Sequence, residues 1–193
     1  KSVHALLKRT WSAGVDLEHL RRVAADVRVE HADESQEHAV LVEHGDIHVD
    51  AIARYLYHIQ PDGTAMRYGV AIGRSGLYEP GIYTIGRKAK WPRWTPTPQM
   101  IEREPETYAQ YADGMDPGPG NALGSRALYL FLGSRDTYLR IHGTPFPRSI
   151  GSRASSGCVR MVMPHIIDLY DQVQTGVTAH LYPAEEGNVE LTA

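Results

Sequence analysis

The sequence predicts a mostly-β domain, because most of the chain alternates between apolar and polar residues in short runs. From Ala39 onward, β-branched and aromatic residues recur at a period of two, which is typical of strands that bury one face. Gly, Asp and Pro separate the runs, and PDGT at 61–64 is a hairpin turn signal. The predicted strands are AVLVEH, IHVDAI, ARYLYHI, MRYGVAIG, YTIGR, ALYLFL, YLRIHG and VTAHLY.

One helix contrasts with this pattern, in the sequence PHIIDLYDQV. Pro164 suits a first helical turn, because its missing N–H would have no partner there. Apolar residues then recur at the helical period, and Gly176 provides a stop. The predicted apolar side consists of Ile166, Ile167, Leu169, Tyr170 and Val173.

The first 38 residues differ from the rest. Residues 3–29 carry a broken helical period with Asp16 as a candidate cap, and residues 30–38 are polar. We therefore predict a helical extension and linker over 1–38, one domain over 39–185, and a short tail over 186–193. No chemistry is evident in the extension.

Residues 87–123 are predicted to be irregular. Six prolines and four glycines fall between Pro92 and Gly124, and long irregular segments in compact domains are usually functional or disordered. Aromatic residues argue against disorder. We expect an ordered lid or cleft wall, the alternative being an excursion that covers a sheet edge. The aromatic residues are Trp91, Trp94, Tyr108 and Tyr111.

Composition excludes some classes of protein. The formal net charge of −3 and pI of about 6.4 argue against a nucleic-acid partner. No run approaches the ~18 apolar residues of a membrane span. Lys1 is not an initiator Met, so we expect the numbering to start inside a longer precursor whose signal or anchor lies outside this chain.

The chemistry is predicted in residues 138–163. Cys158 is the only cysteine, so it forms no internal disulfide, and a lone cysteine is often just a small buried residue. His142 lies sixteen residues earlier. Because the thiolate is the nucleophile and a free thiol is mostly protonated at neutral pH, an adjacent imidazole would act as its base.

Neighbouring residues fit a nucleophile. Gly157 permits a tight bend before Cys158, and backbone N–H groups around both can hold an oxyanion. Arg160 can favour the thiolate or hold a substrate carboxylate. Each also has a simpler interpretation: Arg160 as a surface ion-pair partner, and Ser156 as a turn former.

A metal site is the alternative for the histidines. His44 and His48 are four residues apart, a spacing that binds zinc on a helix. They flank Gly45-Asp46 in a strand-and-turn context, where side chains four apart do not reliably converge. We therefore expect no metal site and no cofactor.

Taken together, IHGT, SSGCVRM, GVAIGRSG, PGIYTIGRKAKWPRW and YADGMDPGPGNALGSRALYLF resemble the YkuD-type L,D-transpeptidase catalytic domain over about residues 44–183. The resemblance implies a β-sandwich with Cys158 in a cleft under a lid. It carries the nucleophile to Cys158, the base to His142 and a helper carbonyl to Gly143. Many members have His where this chain has Ser156, for which we expect a polar substrate contact.

The resemblance also implies the substrate, the stem peptides of peptidoglycan, and a location in the periplasm or cell envelope. Cys158 would attack the carbonyl at the L–D bond, release D-Ala and pass the acyl group to an amine, giving a 3→3 cross-link, D-amino acid exchange or attachment of a wall protein. Arg160, Ser156, Gly157, Trp91 and Trp94 are the expected substrate-binding residues. Carbapenems are expected covalent inhibitors, because a strained β-lactam is a plausible acyl donor.

Rival functions stay open at this point. The nearest is an L,D-carboxypeptidase or amidase of the same fold, in which water replaces the amine. A sortase also orders His before Cys, but its Thr-Leu-X-Thr-Cys strand is missing here. Papain-like and NlpC/P60-like hydrolases place Cys before His. A wall-binding module with a vestigial cysteine is the non-enzymatic alternative.

Overall fold

Nine strands account for most of the regular structure in residues 43–184, the part of the chain that the computed structural model describes. The predicted extension over 1–38, the tail over 186–193 and most of the AVLVEH strand lie outside the described residues. The strands are β1 (Ile47–Asp50), β2 (Tyr55–Ile59), β3 (Ala65–Gly73), β4 (Gly81–Lys90), β5 (Arg126–Leu132), β6 (Arg135–Gly143), β7 (Arg153–Ser155), β8 (Val159–Met161) and β9 (Thr178–Leu181).

The strands form one sheet that closes on itself. Its order is β2-β1-β9-β4-β5-β6-β8-β3-β7, and β2 also pairs with β3. Eight strands therefore complete a ring, with β7 attached to β3. Most pairs are antiparallel, while β1–β9, β6–β8 and β3–β7 are parallel. The mostly-β prediction is confirmed, and a continuous ladder joins the layers of the expected sandwich.

The predicted hairpin and helix anchor this ring. The turn at 61–64 joins β2 to β3, with Gln60 N–H donating to the Thr64 carbonyl at 2.8 Å. Two further helices precede the predicted one, so we number them α1 (Pro98–Arg103), α2 (Pro105–Tyr108) and α3 (Met163–Gln172). Within α3, Ile166 and Leu169 are fully buried in the core of the ring, which is why their spacing follows the helical period.

Helix α3 ends earlier than Gly176. Val173 is extended, with φ −77° and ψ 134°, and Lys88 Nζ donates to the carbonyls of Tyr170 and Val173. Carbonyls at the end of a helix have no helical N–H partner, so the ammonium group of Lys88 satisfies them. Lys88 therefore caps the end of α3, where the sequence predicted that Gly176 would end the helix.

The segment 87–123, which we call the lid segment, is more regular than predicted. β4 continues to Lys90, and α1 and α2 lie inside the segment. Thr97 caps α1 by accepting a hydrogen bond from Met100 N–H at 3.2 Å. Pro98 and Pro105 each begin a helix. The sequence did not predict these two short helices, because Pro98 and Pro105 start helices here instead of interrupting regular structure.

Leu169→Ala should lower the free energy of unfolding by about 2–5 kcal/mol, because it leaves a cavity under α3. Equilibrium urea unfolding measures the loss. Asp171→Ala on the exposed side of the same helix is the matched control and should change stability by no more than about 0.5 kcal/mol. Equal losses in the two variants would contradict the packing of α3 against the ring.

Candidate active site

The parallel pairing of β6 with β8 brings His142 and Cys158 to one cavity. The register aligns Ile141 with Val159 and His142 with Arg160, so Cys158 sits at the entrance to β8 beside the last residues of β6. Both side chains line a cavity of about 900 Å³. Strand β8 has only three residues, and no periodicity in the sequence predicted it.

The turn before Cys158 is held by Ser155. Its buried hydroxyl accepts a hydrogen bond from Gly157 N–H at 3.2 Å and donates one to the Cys158 carbonyl. Gly157 has φ +123°, and a Cβ there would lie 2.9 Å from the Leu77 carbonyl oxygen. Only glycine fits this backbone. Because Ser155 already engages Gly157 N–H, this amide is not the free oxyanion donor that the sequence predicted.

His142 is buried and oriented by the chain itself. Its Nδ1 lies 2.6 Å from the Gly143 carbonyl. A carbonyl oxygen only accepts, so Nδ1 carries the hydrogen and Nε2 is left with its lone pair. Burial lowers the pKa of His142 to about 4, helped by the positive charges of Arg160 and Arg140 and opposed by the carbonyls of Gly143 and Leu123. The imidazole is therefore neutral at pH 7.

The thiol of Cys158 is also neutral at rest. Burial raises its pKa, and this exceeds the lowering by the backbone amide of Arg140 and by the guanidinium groups of Arg140 and Arg160. Its Sγ lies 3.8 Å from the Tyr138 carbonyl oxygen. Two neutral partners with a free Nε2 lone pair suit proton transfer during attack, rather than a preformed ion pair.

Tyr138 and Arg140 also line the cavity, and the sequence did not predict either of them. Tyr138 has φ +64°, a left-handed conformation rare for a bulky residue. Asp136 holds this backbone by accepting from Tyr138 N–H at 2.8 Å, and it binds Arg140 through both carboxylate oxygens at 2.7 and 2.9 Å. Arg140 also stacks on Tyr129, 4.0 Å from the ring centroid. In the sequence, the Asp136–Arg140 pair, four residues apart within β6, was the pattern that could have indicated this arrangement.

The lid segment reaches the cysteine turn through its aromatic residues. Tyr108 OH lies 3.0 Å from Ser156 Oγ, so the Ser156 hydroxyl is bonded to the lid segment. Trp94 packs edge-on against Tyr108 and Tyr111 and lines the cavity.

A second connection runs through Glu104, which forms an ion pair with the side chain of Arg74. The backbone N–H of Arg74 in turn donates to the Ser155 carbonyl at 3.0 Å. The lid segment therefore contacts the cysteine turn in two places, through the Tyr108–Ser156 hydrogen bond and through the Glu104–Arg74 ion pair.

Trp91 lies farther from the cysteine turn in the chain, directly after the end of β4. Its backbone N–H donates to the Ser125 carbonyl at 2.8 Å, and its side chain is 44% exposed. It is not among the cavity-lining residues of the described chain, so the sequence-based pairing of Trp91 with Trp94 as cleft residues is not supported. Arg160 does line the cavity, and its buried Nε has no hydrogen-bond partner within residues 43–184.

A family model for the L,D-transpeptidase catalytic domain matches residues 44–183, which include His142 and Cys158. This chain belongs to the L,D-transpeptidase catalytic domain family. Members are acyl-transferring enzymes, so the L,D-transpeptidase assignment makes the cavity a candidate active site. Within the described residues of the domain, no helix is long and apolar enough to cross a membrane.

Similar proteins agree on the fold. A putative L,D-transpeptidase of Fuscovulum blasticum is 38% identical over 52% of this chain and 48% of its own. A Mycobacterium tuberculosis L,D-transpeptidase 3 structure with a faropenem-derived adduct is 16% identical, with a TM-score of 0.52 over 71% of this chain and 59% of its own. The chain spans less than half of the curated relatives that it matches.

One similar structure carries a different name. A Brucella melitensis protein described as a probable carnitine operon oxidoreductase is 52% identical to this L,D-transpeptidase chain. The match covers 69% of this chain and 83% of that one, with a TM-score of 0.50. The activity in its name differs from that of the family to which residues 44–183 belong.

Gly157→Ala should destabilise the protein by about 1–3 kcal/mol more than Gly151→Ala, because only the Gly157 Cβ would meet backbone. Both glycines have positive φ, so alanine strains the backbone at either site, and Gly157 adds the close approach to Leu77. Urea unfolding measures the free energy of unfolding of each variant, and the rate of Cys158 alkylation reports changes in the conformation of the turn before the thiol. Equal stability and equal alkylation rates would show that the close approach to Leu77 is unimportant.

Proposed function

We propose that this chain is a peptidoglycan L,D-transpeptidase whose nucleophile is Cys158 and whose base is His142. The observation that carries the proposal is the meeting of the only thiol of the chain with a neutral, carbonyl-oriented imidazole in one cavity. The family match supports acyl transfer as the reaction class.

In the first step, Cys158 Sγ attacks the carbonyl carbon at the L–D bond of a stem peptide while its proton passes to His142 Nε2. The Gly143 carbonyl at 2.6 Å stabilises the imidazolium through Nδ1–H. This matters because burial between two arginines disfavours that cation. The oxyanion forms near the guanidinium groups of Arg140 and Arg160, whose charges favour it.

In the second step, the tetrahedral intermediate collapses to a thioester. D-Ala leaves as the amine after it receives the proton from His142. An incoming amine then loses a proton to His142, attacks the thioester and releases the thiol. The products are a 3→3 cross-link, an exchanged D-amino acid or an attached wall protein, depending on the amine.

The cavity suits an anionic peptide. The buried Nε of Arg160 has no hydrogen-bond partner within residues 43–184. Its N–H can therefore donate to a carboxylate or carbonyl oxygen of the substrate. Trp94 provides an apolar wall, and Ser156 with Tyr108 provides hydroxyl groups near the thiol. A peptidoglycan substrate places the protein in the periplasm or cell envelope.

Two other activities compete with this proposal. An L,D-carboxypeptidase would use the same residues with water as the acceptor, and the size of the cavity admits either. The oxidoreductase activity named for the Brucella structure is less well supported, because a thiol, an imidazole and two arginines form an acyl-transfer set.

Cys158→Ala should abolish turnover of a disaccharide-tetrapeptide, leaving less than a tenth of wild-type activity, because no other thiol exists. Mass spectrometry of the products, with and without an added amine, measures turnover and separates transfer from hydrolysis. A carbapenem should add one drug equivalent to the intact mass of the wild-type chain and none to the variant. Retained turnover, or a full adduct on Cys158→Ala, would refute the nucleophile.

His142→Ala should slow acylation by roughly 10²–10⁴ at pH 7 and change substrate binding little, because a base acts on the transition state. In the wild type the rate should fall as pH drops through about 4, where the imidazole gains a proton, rather than near 6.5. In the variant it should rise with pH until hydroxide ionises the thiol.

Stopped-flow acylation by a carbapenem across pH measures this, with circular dichroism as a control for folding. His142→Gln keeps hydrogen bonding but has no basic nitrogen. If this variant reacted near the wild-type rate at pH 7, His142 would be an orienting residue and another group would activate Cys158.

A further inference from the structure

A second cluster of ligating side chains lies on β1 and β9, away from the cavity. One ligand atom each from Asp46, His48 and His180 lies within 4.8 Å of the others, and all three residues are buried. The parallel register pairs His48 with His180, which puts their side chains next to each other on one face of the ring. Asp46 precedes His48 by two residues and so shares that face.

The ring nitrogens of this cluster lack partners. His48 is 0% exposed and His180 is 6% exposed. His48 Nδ1 bonds Tyr182 OH at 2.8 Å, while His48 Nε2 and both nitrogens of His180 have no hydrogen-bond partner within residues 43–184. His180 Nε2 is 3.6 Å from Asp46 Oδ2, too far for a hydrogen bond. Unpartnered buried polar atoms are costly, and a bound water or ion would satisfy them.

The chemistry of the donors identifies the class of ligand. Imidazole nitrogens with one carboxylate oxygen are zinc ligands, and zinc imposes no geometry through its d electrons. Tyr182 supplies the outer hydrogen bond that metal-bound histidines usually make: if Nδ1–H of His48 donates to its hydroxyl, Nε2 keeps the lone pair for an ion. The sequence analysis tested His48 only against His44, because nothing in the sequence pairs β1 with β9.

We propose that Asp46, His48 and His180 bind one zinc ion, with water completing the coordination. The two imidazole rings are stacked, with centroids 4.6 Å apart and planes 3° apart. Two parallel rings do not aim both lone pairs at one point, so at least one ring turns about its Cβ–Cγ bond when the ion binds. The ion would clamp β1 to β9, two four-residue strands in a parallel pair.

The test uses the full chain without a histidine tag, in a Cys158→Ala background so that the thiol cannot bind metal. Chelator-treated protein is dialysed against zinc, and bound metal is counted by mass spectrometry. We expect one equivalent per chain and a rise in Tm. Cobalt in place of zinc should give the visible absorption of a four-coordinate site.

The variants are Asp46→Asn and His180→Gln, each expected to weaken binding at least about tenfold and to remove the zinc-dependent rise in Tm. His58→Gln is the matched control: His58 is buried, and its Nδ1 lies 3.0 Å from Gln60 Nε2, outside the cluster. It should bind zinc like the parent.

Asp46→Asn keeps the size of the side chain, so it tests the site even if a histidine variant fails to fold. The proposal is overturned if the parent binds no zinc beyond buffer level, in which case water fills the cluster. It is equally overturned if Asp46→Asn keeps the affinity and the rise in Tm of the parent, since the metal would then be bound elsewhere.

Discussion

The three-residue ladder between β6 and β8 is the constraint on which the candidate active site depends. His142 reaches the cavity from the end of a nine-residue strand, whereas Cys158 follows an irregular turn. The parallel register of Ile141 with Val159 sets the position of one relative to the other. Ser155 and Gly157 then determine how the chain enters β8, and so where the thiol lies.

The environment of this ladder favours the neutral forms of the Cys158 thiol and the His142 imidazole. Burial raises the pKa of Cys158 and lowers that of His142, while Arg140 and Arg160 supply positive charge to the same space. Under the proposed mechanism, these cations would stabilise the negative charge that appears during attack rather than a resting thiolate. A protonated thiol is also a weaker target for oxidation and alkylation than a thiolate.

The sequence predicted the parts of this protein that depend on local pattern. The strand runs and the apolar side of α3 follow directly from periodicity, and Cys158 with His142 stood out through a motif. What it missed depends on tertiary contacts. Pro98 and Pro105 look like breakers until their flanking residues are seen to start helices. Trp91 resembles Trp94 in the sequence, but only Trp94 packs into the cavity.

Other omissions have the same physical origin. The left-handed backbone of Tyr138 arises from its fit between Asp136 and the cysteine turn, which no propensity encodes. The short strands β7 and β8 have too few residues to show a period of two. The pairing of His48 with His180 joins residues 132 positions apart, a separation at which a single sequence carries no pairing information.

The closed ring affects the tendency of the domain to aggregate at high concentration. An open sheet presents two rows of unsatisfied amide and carbonyl groups, on which other chains can nucleate aggregates. Here each of the eight ring strands has a ladder partner on both sides. Among the described residues, the sheet ends only at β7, whose three residues are too short to template a growing cross-β assembly. The colloidal behaviour of the domain is therefore governed by its surface charge rather than by strand edges.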